Sequence, residues 1–319
     1  MILHIYLYAR HIHYNQVRLQ SIGMCILLLA TNNPRYHSVL LNNRDEFLNR
    51  PTAQASFWHN DSILSSTDLA RPEHGSWLGI SRSGRLASLT NYRESAHILS
   101  HTSRGSLVTD FLISDHDTEQ WVQAVQASTA DIGGFNLLCG QLKRDASKQK
   151  LACFSNRAST VVCSTQSSGL LKSPPSNPVD NSSGHCLQYS VGLSNSLFSD
   201  PWPKVQSGTL LLNDIVSRSL AENWTHERFL QECFSILSLD NLCHSIYIPP
   251  LSVPSQYLGS QSDQVASSPL LYGTRTQTVI LVDYDGHVTF VERNLWYEDG
   301  SPVPPEERDR EFTFLIQDW

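Results

Sequence analysis

The chain alternates between short apolar runs and longer stretches with helical spacing. Residues 25–31 form an apolar run closed by Asn32-Asn33-Pro34, and residues 37–43 form a second, so the pair reads as neighbouring strands joined by a turn. Residues 77–81 and 85–91 flank Arg82-Ser83-Gly84, a hairpin pattern with glycine in the turn. Residues 135–142 and 151–156 read as strands. Residues 274–282 and 287–293 flank Asp283-Tyr284-Asp285-Gly286, the strongest hairpin signal in the chain. Residues 278–282 show no alternation, which predicts a strand covered on both faces. Helical spacing predicts helices over 105–114, 118–128, 209–220 and 225–238. The last is the clearest, with Thr225 as N-cap and Phe229, Leu230, Cys233, Phe234 and Leu237 on one stripe. Residues 164–184, rich in Ser, Pro and Asn, and residues 249–269 carry no period and predict flexible insertions. Strands, helices, strands, helices and a late hairpin predict one α+β domain over residues 24–319, with two packed antiparallel sheets and helices outside.

Composition narrows the picture. The 319 residues are 40% apolar and 17% charged, enough for a large core. A net charge of -7 argues against a nucleic-acid partner, which calls for a basic face. No apolar run reaches the length of a transmembrane helix. Seven cysteines at irregular spacing, without a Cys-x-x-Cys pair, predict free thiols rather than a disulfide framework or a zinc site. His59, His74, His97 and His101 are scattered, no phosphate loop is present, and no metal or cofactor is expected. Residues 1–23 contain no acidic residue and lack a secretory signal pattern. They read as an extension outside the domain. It is either a weak presequence or a stretch ahead of a true start at Met24, and the second reading is preferred.

That preference bears on chemistry. A cysteine opening an apolar strand is ordinarily a small core residue. If the chain opens at Met24 and the methionine is removed, Cys25 carries a free α-amine with a pKa near ~8, a base attached to its own thiol. In Asn43-Arg44-Asp45-Glu46, a regular strand points Asn43 and Asp45 to one face and Arg44 and Glu46 to the other. The segment reads either as a solvated strand end with a surface ion pair or as a guanidinium beside Cys25, favouring thiolate and holding a carboxylate or amide carbonyl. Asn91, Asn195 and Arg275 each lie beside an apparent strand end. Taken singly they read as turn chemistry and surface charge.

Taken in order, the motifs resemble the NRDE family, the transport and Golgi organisation family. They are Met24-Cys25; Asn43-Arg44-Asp45-Glu46-Phe47 with Arg50-Pro51; Phe57-Trp58; Gly75-Ser76-Trp77-Leu78-Gly79-Ile80; and Gly84-Arg85-Leu86-Ala87 leading to Leu89-Thr90-Asn91-Tyr92. Arg104-Gly105, Gly134-Phe135-Asn136-Leu137, Gly192-Leu193-Ser194-Asn195 with Pro201-Trp202, Tyr272-Gly273-Thr274-Arg275-Thr276 and Asp285-Gly286-His287-Val288 follow. The family pattern in turn is similar to N-terminal-nucleophile hydrolases of the choloylglycine hydrolase type. That resemblance implies a four-layer αββα sandwich and cleavage of linear C–N amides. It also implies Cys25 as nucleophile with its α-amine as base, Arg44 and Arg275 flanking the thiol, Asp45 binding the α-amine, and Asn91 and Asn195 orienting substrate and stabilising the oxyanion. An alternative that keeps the same pocket is a non-catalytic ligand carrier or trafficking factor. The family further implies Golgi organisation and secretion, cytoplasmic, Golgi-associated or mitochondrial location, and a small-molecule partner such as an amide, a lipid-like molecule or haem.

Overall fold

A computed structural model describes residues 25–94, 102–129, 132–145, 148–158, 161–164, 189–241, 245–253 and 270–319. The described strands form two antiparallel sheets. The first, sheet A, has the order β10 (Tyr189–Leu193), β1 (Ile26–Thr31), β2 (Ser38–Phe47), β12 (Leu270–Val282), β13 (His287–Asn294), β14 (Asp309–Leu315). A short strand, β11 (Leu251–Val253), also pairs with β12. Sheet B is a meander in chain order: β3 (Thr52–Trp58), β4 (Ile63–Asp68), β5 (Leu78–Ser81), β6 (Arg85–Asn91), β7 (Phe135–Gln141), β8 (Lys150–Ser155) and β9 (Val161–Ser164).

The unbroken apolar runs follow from this layering. In β1, Ile26, Leu28 and Ala30 face the helices α3 (Pro203–Ala221) and α4 (His226–Leu237), while Leu27 and Leu29 face sheet B. A strand with apolar neighbours on both sides has no reason to alternate. On the far side, Ala87, Cys139 and Phe154 of sheet B meet α1 (Ser106–Ile113) and α2 (Thr118–Gln126). The result is an αββα sandwich with three stacked apolar interfaces. One further helical turn, α5 (Pro305–Arg308), precedes β14.

Several boundaries differ from the sequence expectation, each for a physical reason. Strand β4 carries buried polar residues and β3 is exposed or half-buried at all but Ala55, so neither shows a clean alternation. The Ser65 hydroxyl accepts from Trp58 Nε1 at 2.8 Å, and Ser66 donates to the Glu292 carboxylate across the sheets. Helix α3 begins at Pro203 rather than at 209, because proline at the first turn preorganises a start that the apolar count misses. Strand β2 runs on to Phe47, carrying polar residues into the sheet. Residues 251–253 are strand, not irregular insertion, and residue 164 closes β9. The remaining insertion residues, 165–184 and 254–269, lie outside the described residues, as does the 1–23 extension. Cys25, Cys139, Cys153 and Cys233 are free thiols.

Candidate functional site

The end of β2 lies where β1 begins, with Ile26 opposite Asn43. The thiol of Cys25, just before β1, donates to the Asp45 carbonyl oxygen at 3.7 Å. The Cys25 carbonyl accepts from Ser194 Oγ at 2.7 Å, which ties the residue to the end of β10. Ser194 is itself anchored, its carbonyl accepting from Thr90 Oγ1 at 2.7 Å and Asn136 Nδ2 at 2.9 Å. The buried Asn195 follows it, and its carbonyl accepts from Arg93 N at 2.9 Å, two residues beyond Asn91. The Asn91 side chain is exposed at the end of β6. The fold thus brings Cys25, Asp45 and the Asn195 backbone into one neighbourhood, with Asn91 at its rim.

The two faces of β2 divide the polar motif. Asn43 points to the helix layer, where its Nδ2 donates to Leu237 O at 2.8 Å and Ile246 O at 3.0 Å. This satisfies the Leu237 carbonyl, which the end of α4 leaves without an intrahelical partner, and ties it to the segment that follows. Asp45 lies on the same face. Its Oδ1 accepts from Thr274 Oγ1 at 2.6 Å, and Thr274 Oγ1 accepts from Ile248 N at 2.8 Å. Its Oδ2 is 3.9 Å from Lys204 Nζ, both side chains being almost fully buried.

Arg44 points between the sheets. Its guanidinium stacks 4.1 Å from the Trp77 ring centroid, and its Nη2 lies 3.7 Å from Glu46 Oε2. Its Nη1 is buried without a hydrogen-bond partner. Glu46 also pairs with Arg50 at 3.6 Å, and Arg50 forks onto Asp68 at 2.7 and 3.0 Å. Arg275 occupies a bulge in β12, where the register against β2 jumps from Thr274 opposite Asp45 to Thr276 opposite Arg44. That extra residue aims its side chain at β3, where Nη1 donates to Arg50 O and to Thr52 Oγ1 at 3.4 Å. Arg44 and Arg275 repel one another enough to help lower the Arg275 pKa, after burial.

The electrostatics differ from the sequence expectation at one point. Arg44 does not give Cys25 a resting thiolate. Burial, then the Asp45 carboxylate, push the thiol up to about 12. The cation acting against this shift is Lys204, which sequence reading missed. Asp45 is itself raised to about 6 by burial, opposed by Lys204 and Thr274. Lys204 is lowered, again by burial first. A signal for Lys204 existed: it falls in phase with Val205, Gly208, Leu212, Ile215, Val216 and Ser219, the buried stripe of α3.

Elsewhere, Asp283, Asp285 and His287 place ligand-type atoms within 4.8 Å of one another at the β12–β13 turn. Asp283 Oδ1 is already committed to the turn amides of Asp285 and His287, both at 2.9 Å, so this cluster reads as turn chemistry. Among the described residues no helix is long and apolar enough to cross a membrane.

Comparison with known proteins gives a family and a set of structural neighbours. The model of the Transport and Golgi organisation 2 family matches residues 24–297. A human Transport and Golgi organization protein 2 homolog is 34% identical over 306 residues, covering 91% of this chain and 99% of that protein. The Drosophila melanogaster Transport and Golgi organization protein 2 is 24% identical over 289 residues, covering 85% and 92%. Among solved structures, penicillin V acylase from Agrobacterium tumefaciens overlays with a TM-score of 0.45 at 10% identity, covering 92% of this chain and 86% of that one. Conjugated bile acid hydrolase from Clostridium perfringens, as its R18L variant, overlays with a TM-score of 0.42 at 8% identity, covering 92% and 97%. Overlays this loose say nothing of activity. The family match, nearly full-length and joined to relatives at 34% identity, is of another order: this chain is a member of the Transport and Golgi organisation 2 family.

Proposed function

We propose that this chain is a cysteine amidohydrolase of the N-terminal-nucleophile type, cleaving a linear C–N amide through Cys25. The observation that carries the reading is the position of the Cys25 thiol. It sits at the end of the sandwich, fixed through its own carbonyl to Ser194 and through its sulfur to Asp45. In this reading Arg44 and Arg275 flank the pocket and hold a substrate carboxylate or carbonyl. Asn91 and Asn195 orient substrate and supply oxyanion donors. Asp45 holds the α-amine in a chain that opens at Cys25, and that amine is the base for the thiol. The sulfur attacks the amide carbon, the amine leaves with a proton, and water releases the acyl group.

The names of the relatives speak of transport and Golgi organisation. The corresponding cellular role is in Golgi organisation and secretion, from a cytoplasmic, Golgi-associated or mitochondrial location, with a lipid-like amide or haem as the small molecule handled. A second reading, a non-catalytic carrier using the same pocket, is favoured by one observation: Met24 precedes Cys25 in the sequence and the thiol is held neutral, with a pKa of about 12. Amine release from a panel of N-acyl amides decides between the two. Turnover abolished by Cys25→Ala supports the hydrolase. Binding of the same amides without turnover, unchanged in Cys25→Ala, supports the carrier.

A further inference from the structure

Lys204 is a charged residue where an apolar one would pack better. Its side chain is 4% exposed, and it is the second residue of α3, where the positive end of the helix dipole disfavours a cation. Burying an ammonium costs several kcal/mol. Two glycines bring it close. A Cβ at Gly192 would come within 2.4 Å of Val205 Cγ1, and one at Gly208 within 2.9 Å of Leu28 Cδ1. Helix α3 therefore lies directly on β1 and β10, and its first turn reaches the end of β2.

What it reaches is the carboxylate of the residue whose backbone holds the nucleophile. Lys204 Nζ is 3.9 Å from Asp45 Oδ2, the carboxylate oxygen that accepts no hydrogen bond, while Oδ1 is taken by Thr274. The Cys25 sulfur is bonded to the backbone of that same Asp45. Asp45 and Cys25 both act on Lys204, and Glu46 acts in turn on both of these. In a chain that keeps Met24 ahead of Cys25, the Cys25 nitrogen is an amide and is no base.

We propose that Lys204, as the neutral amine, is the general base for the Cys25 thiol, with Asp45 holding the ammonium that forms, so that the site works in a chain continuing ahead of Cys25. This rests on Cys25 as the nucleophile of the amidohydrolase reading and puts Lys204 in place of the α-amine as its base. The proton of Cys25 Sγ passes to Lys204 Nζ as sulfur bonds to the amide carbon. When the C–N bond breaks, the ammonium returns that proton to the leaving amine, giving a thioester. Water then attacks the thioester, losing a proton to Nζ and freeing the thiol. Burial lowers the Lys204 pKa, which favours the neutral amine that the step requires.

The test is acylation of the full chain by p-nitrophenyl butyrate, with the adduct located by peptide mass and the rate followed from pH 5 to 10. The expected result is an adduct on Cys25 and a rate that levels off well below pH 12, because the base rather than the free thiol titrates. Lys204→Met and Lys204→Arg should each slow acylation by about 100-fold or more, since arginine keeps the charge but cannot take the proton. A rate in Lys204→Arg within threefold of wild type would overturn the inference and leave the hydrolase reading standing. So would a wild-type rate still rising tenfold per pH unit at pH 10, a readout that does not depend on either variant folding. If Cys25 is acylated at no pH, the hydrolase reading falls with it.

Discussion

The two outer helix layers do the same packing job with different materials. Over sheet B, α1 and α2 present Phe111, Leu107, Val108, Trp121 and Val122, and the strands answer with apolar residues. Its buried cation, Arg85, is spent on structure: Nε donates to Phe111 O and Nη1 to His116 O, both at 2.9 Å, near the end of α1. Over sheet A, α3 and α4 offer a comparable apolar stripe, but α3 opens with Lys204 facing a carboxylate. Arg85 satisfies carbonyls that a helix end leaves open, whereas Lys204 faces Asp45 beside a thiol. The contrast sets the sheet A side apart as the one that buries an ion pair beside a thiol.

Four measurements test the contrast. Phe111→Ala removes the centre of the sheet B layer and should cost about 3–5 kcal/mol by denaturant unfolding, evenly across pH. A loss that changes with pH would show that charge matters there too. On the sheet A side, Thr274→Val strips Asp45 and the Ile248 amide of a buried partner. It should cost about 2–3 kcal/mol, most above pH 6, where Asp45 is ionised.

Wild-type stability should also fall relative to Asp45→Asn as pH rises. The folded carboxyl titrates at about 6, above its ordinary 3.8, so the folded state holds the proton more tightly than the unfolded chain. Its contribution is therefore fully present below pH 4 and is lost as pH passes through 6. The relative fall should be about 2 kcal/mol, read from unfolding at pH 4 and pH 7. A flat difference would contradict the buried setting of Asp45. Gly208→Ala should have the smallest effect, about 1 kcal/mol of destabilisation, because Leu28 and Ile246 side-chain tips can yield and alanine favours helix.

Much of this was legible beforehand. Layering shows in runs such as residues 26–30 and 278–282, since a strand between two apolar layers needs no polar face. The meeting of Cys25 with the Arg44–Asp45 segment was readable as adjacent strands and is seen in the pairing of β1 with β2. Opposite faces for Arg44 and Asp45 followed from strand alternation, whereas the β12 bulge that places Arg275 leaves no sequence signal. Less accessible was anything set by contacts distant in sequence. Strand β4 hides behind Ser66, whose partner Glu292 lies 226 residues away. Lys204 reads as a surface lysine until α3 is known to begin at Pro203. The rise in the Cys25 pKa comes from burial and from Asp45, which the presence of a neighbouring arginine in the sequence does not reveal.

The central claim is that Cys25 carries the acyl group. A single turnover with an N-acyl amide, quenched in acid and digested, tests it most directly. The expected result is a peptide beginning with or containing Cys25 that is heavier by the mass of the acyl group and loses it to hydroxylamine, as a thioester does. Amide cleaved with that peptide unmodified, or with the acyl mass on another residue, would contradict it.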